Sequence, residues 1–516
     1  MSSREATTSI RALPVPYLSR RLSIFMIIGY GALCVALASA GFSDADDHFY
    51  LEAADSWLAH VPFLGTTHWH LRHPLVLAIA ASFRLFGRSE AAMILPTIVC
   101  YFGILLLTFD LVQRVSDRTT GMLAAILVAS TPLFAILAKG PNPDEMEVFL
   151  TLVSFWFFLR GIEQGRAALL VLSGVALGVA WTLRQSCVPL LMLYGILFVA
   201  GYKIKRSRYL LIALGFVPVA IGELLFYLAY TGDAFYRFAV DSRFLDIPSA
   251  HVIGRTMHGL RPPFNIAIMK AWVPDGFIDV HWLINPYIDF FANWNYGLIF
   301  FTGVWAAFVL CIRGSRASRS RQFLLLIGSW SVLSLIVVLY VLNLRPQPRY
   351  FAIIAWTMTV MTALWVREVA WPRSRWLAST IIFTIMISDI LLINLRPDPL
   401  HEIREAASYA GGSTKPLWIY PAFAEHAAFL LEGAAVADRV HAGAPETVPP
   451  GGLYFTTRAK GDALIATGWR EVWHEQAQLA LLMTPFQPVQ GWVPDKLLAV
   501  MRRGYPESVV LEAPGR

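Results

Sequence analysis

Charged residues are scarce in this chain of 516 residues, where Asp, Glu, Lys and Arg make up 15% and hydrophobic residues 56%. Soluble domains carry about 25% charged residues, so the composition excludes a soluble enzyme and a disordered scaffold. The four cysteines lie in or beside apolar runs, which excludes a disulfide-stapled secreted module. A mean hydropathy of +0.55 indicates a polytopic membrane protein.

The sequence also lacks a glycine-rich phosphate loop, a strong internal repeat and a low-complexity tract. It therefore gives no support to a nucleotide site on the cytoplasmic side. The net charge of +7 could suggest nucleic acid. However, the basic residues cluster in short loops, where membrane topology explains them, and we expect no nucleic-acid partner.

Eleven apolar segments are predicted to cross the membrane as helices, because unpaired backbone groups are too costly in lipid. They are 22–41, 90–112, 120–138, 146–160, 167–183, 187–201, 209–231, 296–312, 322–343, 350–366 and 376–395. The first segment, with Ala38-Ser39-Ala40, also has the features of a cleavable secretory signal. Its length favours a retained anchor.

Basic residues assign the two sides of the membrane. The N-terminal tail and alternate short loops hold Arg4, Arg11, Arg20, Arg21, Arg114, Arg118, Arg160, Arg166, Lys203, Lys205, Arg206, Arg208, Arg313, Arg316, Arg319, Arg321, Arg367, Arg373 and Arg375, against four acids. The positive-inside rule places these loops in the cytoplasm. Segments 42–89, 232–293 and 397–516 are then external.

The sequence predicts two parts: a transmembrane module over 1–396 and an external α/β domain over 397–516. Residues 416–420 and 452–456 have the pattern of short buried strands, and 422–431 and 460–467 that of helices. A tail of this length can bury a core of its own. The predicted fold class is therefore mainly α, a polytopic membrane protein with external interfacial helices and a small α/β domain.

Three carboxylates, Asp44, Asp46 and Asp47, lie just outside the first predicted span. A helix beginning near Asp46 would place Phe49, Ala53 and Trp57 on one apolar stripe, as in an interfacial helix. The carboxylates could simply complement the helix dipole. Alternatively, one of them could act as a general base beside the lipid surface.

A second polar stretch follows at His68-Trp69-His70-Leu71-Arg72-His73. The histidine spacings do not match a helical pair of metal ligands, so we predict no dedicated metal site. Hydrogen bonding to a polar ligand and ordinary loop chemistry are the remaining interpretations. The run 74–87 is short for a span, and we interpret it as an external or re-entrant helix.

The pattern Asp46-Asp47-x-x-Tyr50, followed by His73-Pro74-Leu75 and an apolar helix, resembles the opening of the GT-C glycosyltransferases. It is similar to the group that contains the protein O-mannosyltransferases and the aminoarabinose transferases of lipid A. Three later stretches agree: Lys139–Asp144, Gly174–Arg184 and Arg349-Tyr350. The sequence departs from the pattern at Leu75, Asp47 and Arg72-His73, which weakens the aminoarabinose assignment in particular.

The resemblance implies sugar transfer from a polyprenyl phosphate to an acceptor at the outer face of a bacterial cytoplasmic membrane, with inversion. Attack by a hydroxyl needs a base; Asp46 is the first choice and Asp47 the second. The leaving phosphate needs cationic stabilisation more than a proton. Candidate substrate-binding residues are Asp44, Tyr50, Arg72, His73, Lys139, Asp144, Arg184, Arg345, Arg349 and Tyr350.

Other interpretations remain open. The four cations at external ends of spans (Lys139, Arg184, Arg345, Arg349) could merely extend to lipid headgroups. The chain could be a transporter or flippase of lipid-linked sugars, or an assembly protein that keeps the fold. We predict no cofactor, although the aspartates could bind a divalent cation. The expected partners are the lipid-linked donor and a glycolipid, glycan or protein acceptor.

Overall fold

The computed structural model describes residues 19–38, 41–43, 46–244, 294–313, 318–338, 347–475, 479–503 and 507–515. Two predicted site residues, Asp44 and Arg345, lie outside these ranges, as does most of the predicted external segment 232–293.

The described residues before 396 are mainly helical. The helices are α1 Arg20–Leu37, α2 Asp47–Ala59, α3 His73–Phe86, α4 Glu90–Val115, α5 Arg118–Ser130, α6 Pro132–Ala138, α7 Pro143–Gln164, α8 Ala167–Leu183, α9 Val188–Ala200, α10 Arg206–Thr231, α11 Tyr236–Phe244, α12 Ile299–Arg313, α13 Ser318–Ile336, α14 Ala352–Trp365 and α15 Arg375–Asn394.

Each of the eleven predicted spans overlaps at least one of these helices, and the mainly helical fold class is confirmed. Within the described ranges, five helical stretches are long and apolar enough to cross a membrane by themselves: α1, α4, α10, Pro348–Ala370 and α15. The bent pair of α5 and α6 would make a sixth. The number of eleven spans therefore stays a prediction.

The predicted straight span 120–138 is wrong in shape, because α5 and α6 meet at an angle of 65°. Thr131 between them has ψ 118°, outside the helical region. The ring of Pro132 disfavours a helical conformation in the residue before it and removes one N–H from the helix ladder. The bend leads the chain into residues 139–142, immediately before α7.

Helix α8 packs between α7 and α10. A Cβ on Gly174 would lie 1.9 Å from the carbonyl oxygen of Ile212, and a Cβ on Gly215 would lie 2.0 Å from that of Val171. The two backbones therefore touch where the glycines face each other. This contact fixes α8 against α10, and α8 ends at Leu183, directly before Arg184.

We expect Gly174→Ala to destabilise the protein by at least about 1–3 kcal/mol, since the added methyl group meets backbone rather than a flexible side chain. Thermal unfolding of the detergent-purified protein measures this. The control is Gly195→Ala in α9, where nothing lies within 4 Å of the added Cβ. Equal unfolding temperatures for the two variants would contradict the packing described here.

Helices α2 and α3 pack on each other in the first external segment. The buried face of α2 carries Tyr50, Leu51, Ala53 and Ala54. The predicted stripe is thus rotated, since of its three members only Ala53 is fully buried, whereas Phe49 and Trp57 are half-buried. The rotation follows from packing on α3, which buries the side of α2 that bears Tyr50.

The tail folds into a mixed sheet with flanking helices, as the sequence predicts. Its elements are α16 His401–Gly412, β1 Leu417–Ile419, α17 Pro421–Gly433, β2 Val440–Ala442, β3 Leu453–Thr457, α18 Arg458–Ile465, β4 Arg470–His474, α19 Asp495–Met501 and β5 Ser508–Glu512. The strand order is β2-β1-β3-β5-β4. β1 pairs in parallel with β2 and β3, and β5 is antiparallel to β3 and β4.

The tail and the first external segment share one hydrophobic core, which includes Tyr50, Leu75, Ile403 and Val510. The rings of Phe42 and Phe429 lie 5.1 Å apart at this junction. The domain boundary at residue 396 stays a prediction, but the tail is packed directly against the segment that carries the predicted base.

Candidate active site

Asp46 lies directly before α2 and faces a residue more than 300 positions away in sequence. Its Oδ2 accepts a hydrogen bond from Nη1 of Arg349 at 3.1 Å, and Nε of Arg349 donates to Oε1 of Gln347 at 2.8 Å. The Asp46 and Arg349 side chains are 25% and 30% exposed. Both are therefore accessible to a ligand.

Asp47, the second predicted base, is more enclosed. Its Oδ2 accepts hydrogen bonds from the backbone N–H of Ser43 at 2.6 Å and from the Ser43 hydroxyl at 2.7 Å. The residue is 8% exposed. Asp46 is the more available of the two carboxylates, and Asp47 holds the loop that leads to it.

Arg184, at the end of α8, contacts two carboxylates from the start of α7. It donates a hydrogen bond to Oδ1 of Asp144 and lies 4.0 Å from Oε2 of Glu147. The other oxygen of Asp144 lies 4.0 Å from Nε of Arg349. Asp144 therefore links the two arginines, and Asn142 fixes it by capping α7 at its backbone N–H, 3.0 Å away.

Two tyrosines join this ion cluster. The guanidinium carbons of Arg184 and Arg349 lie 4.7 Å and 5.5 Å from the ring centre of Tyr350, within the range of cation–π contacts. Arg72 donates a hydrogen bond to the hydroxyl of Tyr50. Burial raises the pKa of Tyr50 above its usual value, so its hydroxyl keeps its proton at neutral pH.

A cavity of about 310 Å³ opens beside the cluster. Its polar lining comes from Ser43, Asp47, Asn142, Asn295, Gln347, Arg349 and Arg396. This volume is at the lower end of the 300–1,000 Å³ typical of small-molecule sites. The guanidinium groups of Arg349 and Arg396 in this lining suit a polar, negatively charged ligand.

The structure does not bring Lys139 and His73 into the cluster around Asp46. Lys139 lies near Glu90, Asp398 and Arg404. His73, which begins α3, packs against the rings of Trp57, Phe226 and Tyr227. Their predicted binding roles thus gain no geometric support.

Buried His73 makes stability depend on pH. Burial lowers its pKa from 6.5 to about 4, so its contribution is complete above pH 6.5 and is lost as the pH falls towards 4. We expect a loss on the order of 2 kcal/mol between pH 6.5 and 5. His73→Gln should flatten this part of the stability curve, whereas His60→Gln, at an exposed position, should leave it unchanged.

Sequence reasoning missed three residues at the site. Glu147 follows Asp144 by three positions on α7, and this helical spacing could have indicated a shared face. Burial, reinforced by the charges of Arg72, Arg184 and Arg349, lowers the pKa of His68 to about 2, so a neutral imidazole lies among arginines. Arg396 carried no local signal, because its place beside Arg349 depends on tertiary structure.

Among the described residues, His401, Glu405 and Glu475 form one group with metal-ligand chemistry, their ligand atoms lying within 4.8 Å of one another. They belong to α16 and to the end of β4, not to the Asp46 cluster. Nε2 of His401 and Oε1 of Glu475 are 3.0 Å apart, so a hydrogen bond accounts for this pair.

Comparison with known proteins finds similarity to one family over part of the chain. Residues 72–224 match the model of the dolichyl-phosphate-mannose-protein mannosyltransferase family. Two proteins of Bacillus subtilis (strain 168) that bear the name mannosyltransferase are similar: YkcB, 26% identical over 101 residues, and YycA, 27% identical over 113 residues. These matches cover 20% and 22% of this chain, and only 14% and 16% of the relatives' own lengths.

Two solved structures are similar at lower identity. ArnT from Cupriavidus metallidurans in the apo state is 12% identical, with a TM-score of 0.48 over 95% of this chain and 97% of that one. The oligosaccharyltransferase of Archaeoglobus fulgidus in the apo form is 13% identical, with a TM-score of 0.49 over 82% and 64%. At these scores neither structure carries an argument about the site.

The family match covers helices α3 to α9 and most of α10, together with Arg72, Asp144 and Arg184 of the cluster. The motifs that flank it, at Asp46 and at Arg349, meet these residues in space. The region that is similar to this family therefore supplies three members of the cluster, and the flanking motifs supply two more.

Proposed function

We propose that the protein transfers a sugar from a polyprenyl-phosphate donor to an acceptor hydroxyl or phosphate at the outer face of a bacterial cytoplasmic membrane. The observation that carries this proposal is the contact between Asp46 and Arg349 at the edge of a polar cavity. One group can take a proton from an acceptor hydroxyl while the other stabilises a leaving phosphate.

In the transfer to a hydroxyl, Asp46 acts as the general base. The acceptor oxygen forms a bond to the anomeric carbon, its proton passes to the Asp46 carboxylate, and the bond from that carbon to the phosphate oxygen breaks. Attack opposite the leaving group inverts the anomeric centre. Asp47 supports the loop through Ser43 and does not take the proton itself.

The phosphate is bound by arginine. Arg349 and Arg396 line the cavity, and Arg184 and Arg72 lie in the adjoining cluster. Arginine suits this role because its planar fork can donate two parallel hydrogen bonds to phosphate. Arg349 is paired with Asp46, so a bound donor phosphate would compete with Asp46 for the guanidinium and release the base.

We propose that no metal cofactor takes part in the transfer. The carboxylates of Asp46, Asp47 and Asp144 already contact Arg349, Ser43 and Arg184, so a divalent cation would have to displace these partners. Transfer should therefore persist in excess EDTA. Loss of activity in EDTA that Mg²⁺ or Mn²⁺ restores would overturn this part of the proposal.

The direct test is transfer of radiolabelled sugar from a panel of polyprenyl-phosphate donors to membrane acceptors by the purified protein in proteoliposomes. The proposal expects labelled acceptor and free polyprenyl phosphate in equal amounts. Movement of intact donor between leaflets without cleavage would favour a transporter. No consumption of any donor, with the protein folded, would favour an assembly role.

A further inference from the structure

Arg404, on α16 of the tail, reaches into the first external segment. Its Nη1 and Nη2 donate to the two carboxylate oxygens of Glu90 at 2.6 and 2.7 Å, and its Nε donates to Asp398 at 2.6 Å. Nη2 also donates to the backbone carbonyl of Phe42 at 3.1 Å. Charge-assisted, bidentate hydrogen bonds of this kind are stronger than hydrogen bonds between neutral groups.

Glu90 and Arg404 together hydrogen-bond to both backbone polar groups of Phe42. Oε1 of Glu90 accepts from the Phe42 N–H at 2.6 Å, while Arg404 donates to its carbonyl. The preceding residue must be small, because a Cβ on Gly41 would lie 2.0 Å from Oε1 of Glu90. Arg404 and Glu90 therefore clamp the chain at residues 41 and 42.

This clamp lies four residues before Asp46. Directly after the clamp, Ser43 hydrogen-bonds to Asp47, the residue that follows Asp46. The Phe42 ring adds an apolar contact with Phe429 of the tail. The position of Asp46 relative to Arg349 is thus determined at one end by a residue from the C-terminal part of the chain.

We infer that Arg404 is a positioning residue for the transfer reaction: through Glu90 and Phe42 it places the Asp46 carboxylate beside Arg349 and the cavity. The inference rests on the proposed function of Asp46. It assigns to the C-terminal domain a direct part in building the active site. Arg404 itself contacts none of the proposed reacting groups.

The test compares Arg404→Ala, Arg404→Lys and Arg458→Ala in the full-length protein. Arg458 is the matched control, since it pairs with Glu471 within the same domain. A displacement of about 1 Å can cost 10²-fold in rate, so we expect kcat to fall roughly 10- to 100-fold in Arg404→Ala with little change in donor KM. Arg404→Lys should recover part of the rate, and Arg458→Ala should match wild type.

A double-mutant cycle separates positioning from general damage. In an Asp46→Asn background, Arg404→Ala should lower the residual rate by less than twofold, because the group that Arg404 positions is already disabled. A full 10- to 100-fold further loss in that background would overturn the inference. If Arg404→Ala fails to fold, Glu90→Gln serves instead, since it removes the charge pair and keeps the shape.

Hydrogen exchange gives a readout that does not depend on activity. Amide exchange at residues 42–47 should accelerate at least tenfold in Arg404→Ala and stay at the wild-type rate in Arg458→Ala. Unchanged exchange would refute the clamp even if transfer were lost. The two proposals can also fail separately. If Arg404→Ala exchanges faster but the wild-type protein transfers no sugar, the proposed function is refuted and the clamp is supported.

Discussion

Replacing Asp46 by Asn should lower kcat for sugar transfer by about 10²–10⁴-fold, the range attributed to a positioned general base. Asparagine keeps the shape of the side chain but does not accept a proton at neutral pH. Its side-chain oxygen can still accept the hydrogen bond from Arg349, so folding should be unaffected. Single-turnover transfer of labelled sugar, with thermal unfolding as a check on folding, measures the effect.

Two neighbouring substitutions sharpen this prediction. Asp47→Asn should lower the rate less, because Asp47 is engaged by Ser43. Asp55→Asn, on the far part of α2 and paired with Arg88, should behave like wild type. If Asp46→Asn keeps a normal rate and Asp47→Asn is inactive, the two aspartates have the opposite roles. Normal rates for both variants would show that the site lies elsewhere.

Replacing Arg349 by Ala should reduce kcat/KM for the donor by roughly 10²–10³-fold, as expected when one stabilising group for developing negative charge is removed. The loss has two sources. The leaving phosphate loses a donor, and Asp46 and Asp144 lose a shared counter-charge. Donor KM should therefore rise as well, which distinguishes this variant from Asp46→Asn.

Arg349→Lys provides the decisive comparison. Lysine restores the charge but not the planar fork, so we expect a partial recovery of about tenfold over alanine. The control is Arg373→Ala, whose guanidinium bonds to the carbonyl of Val369 one turn earlier. If Arg349→Ala retains full activity and donor affinity, Arg349 contacts lipid headgroups and does not bind the donor phosphate.

Much of the architecture could be predicted because local patterns determine it. Apolar length predicted the helices, and short apolar runs bounded by turn residues predicted β1 and β3. Pro132 was a visible sign of the bend between α5 and α6, although hydropathy alone treated the segment as one span. The face of α2 was misjudged, because α3 rather than the lipid surface decides which side is buried.

The cluster could be predicted in part, since the motifs of the sequence include Asp46, Asp144, Arg184 and Arg349, which the fold brings together. What the sequence could not provide was their pairing. Arg184 binds Asp144 from a different helix, and Arg349 reaches Asp46 across 303 positions. Lys139 and His73 were chosen by the same reasoning and lie in other surroundings, because proximity in a motif does not ensure proximity in the fold.

The mixed sheet of the tail has a further consequence for crowding in the membrane plane. If the tail is external, as the positive-inside rule predicts, copies inserted with one orientation hold these domains at the same distance from the membrane, and their open strand edges meet more often than in free solution. β2, at one edge, is only three residues long, and β4, at the other, alternates exposed Arg470, Val472 and His474 with half-buried residues. A short edge and a charged edge both disfavour pairing between neighbouring sheets.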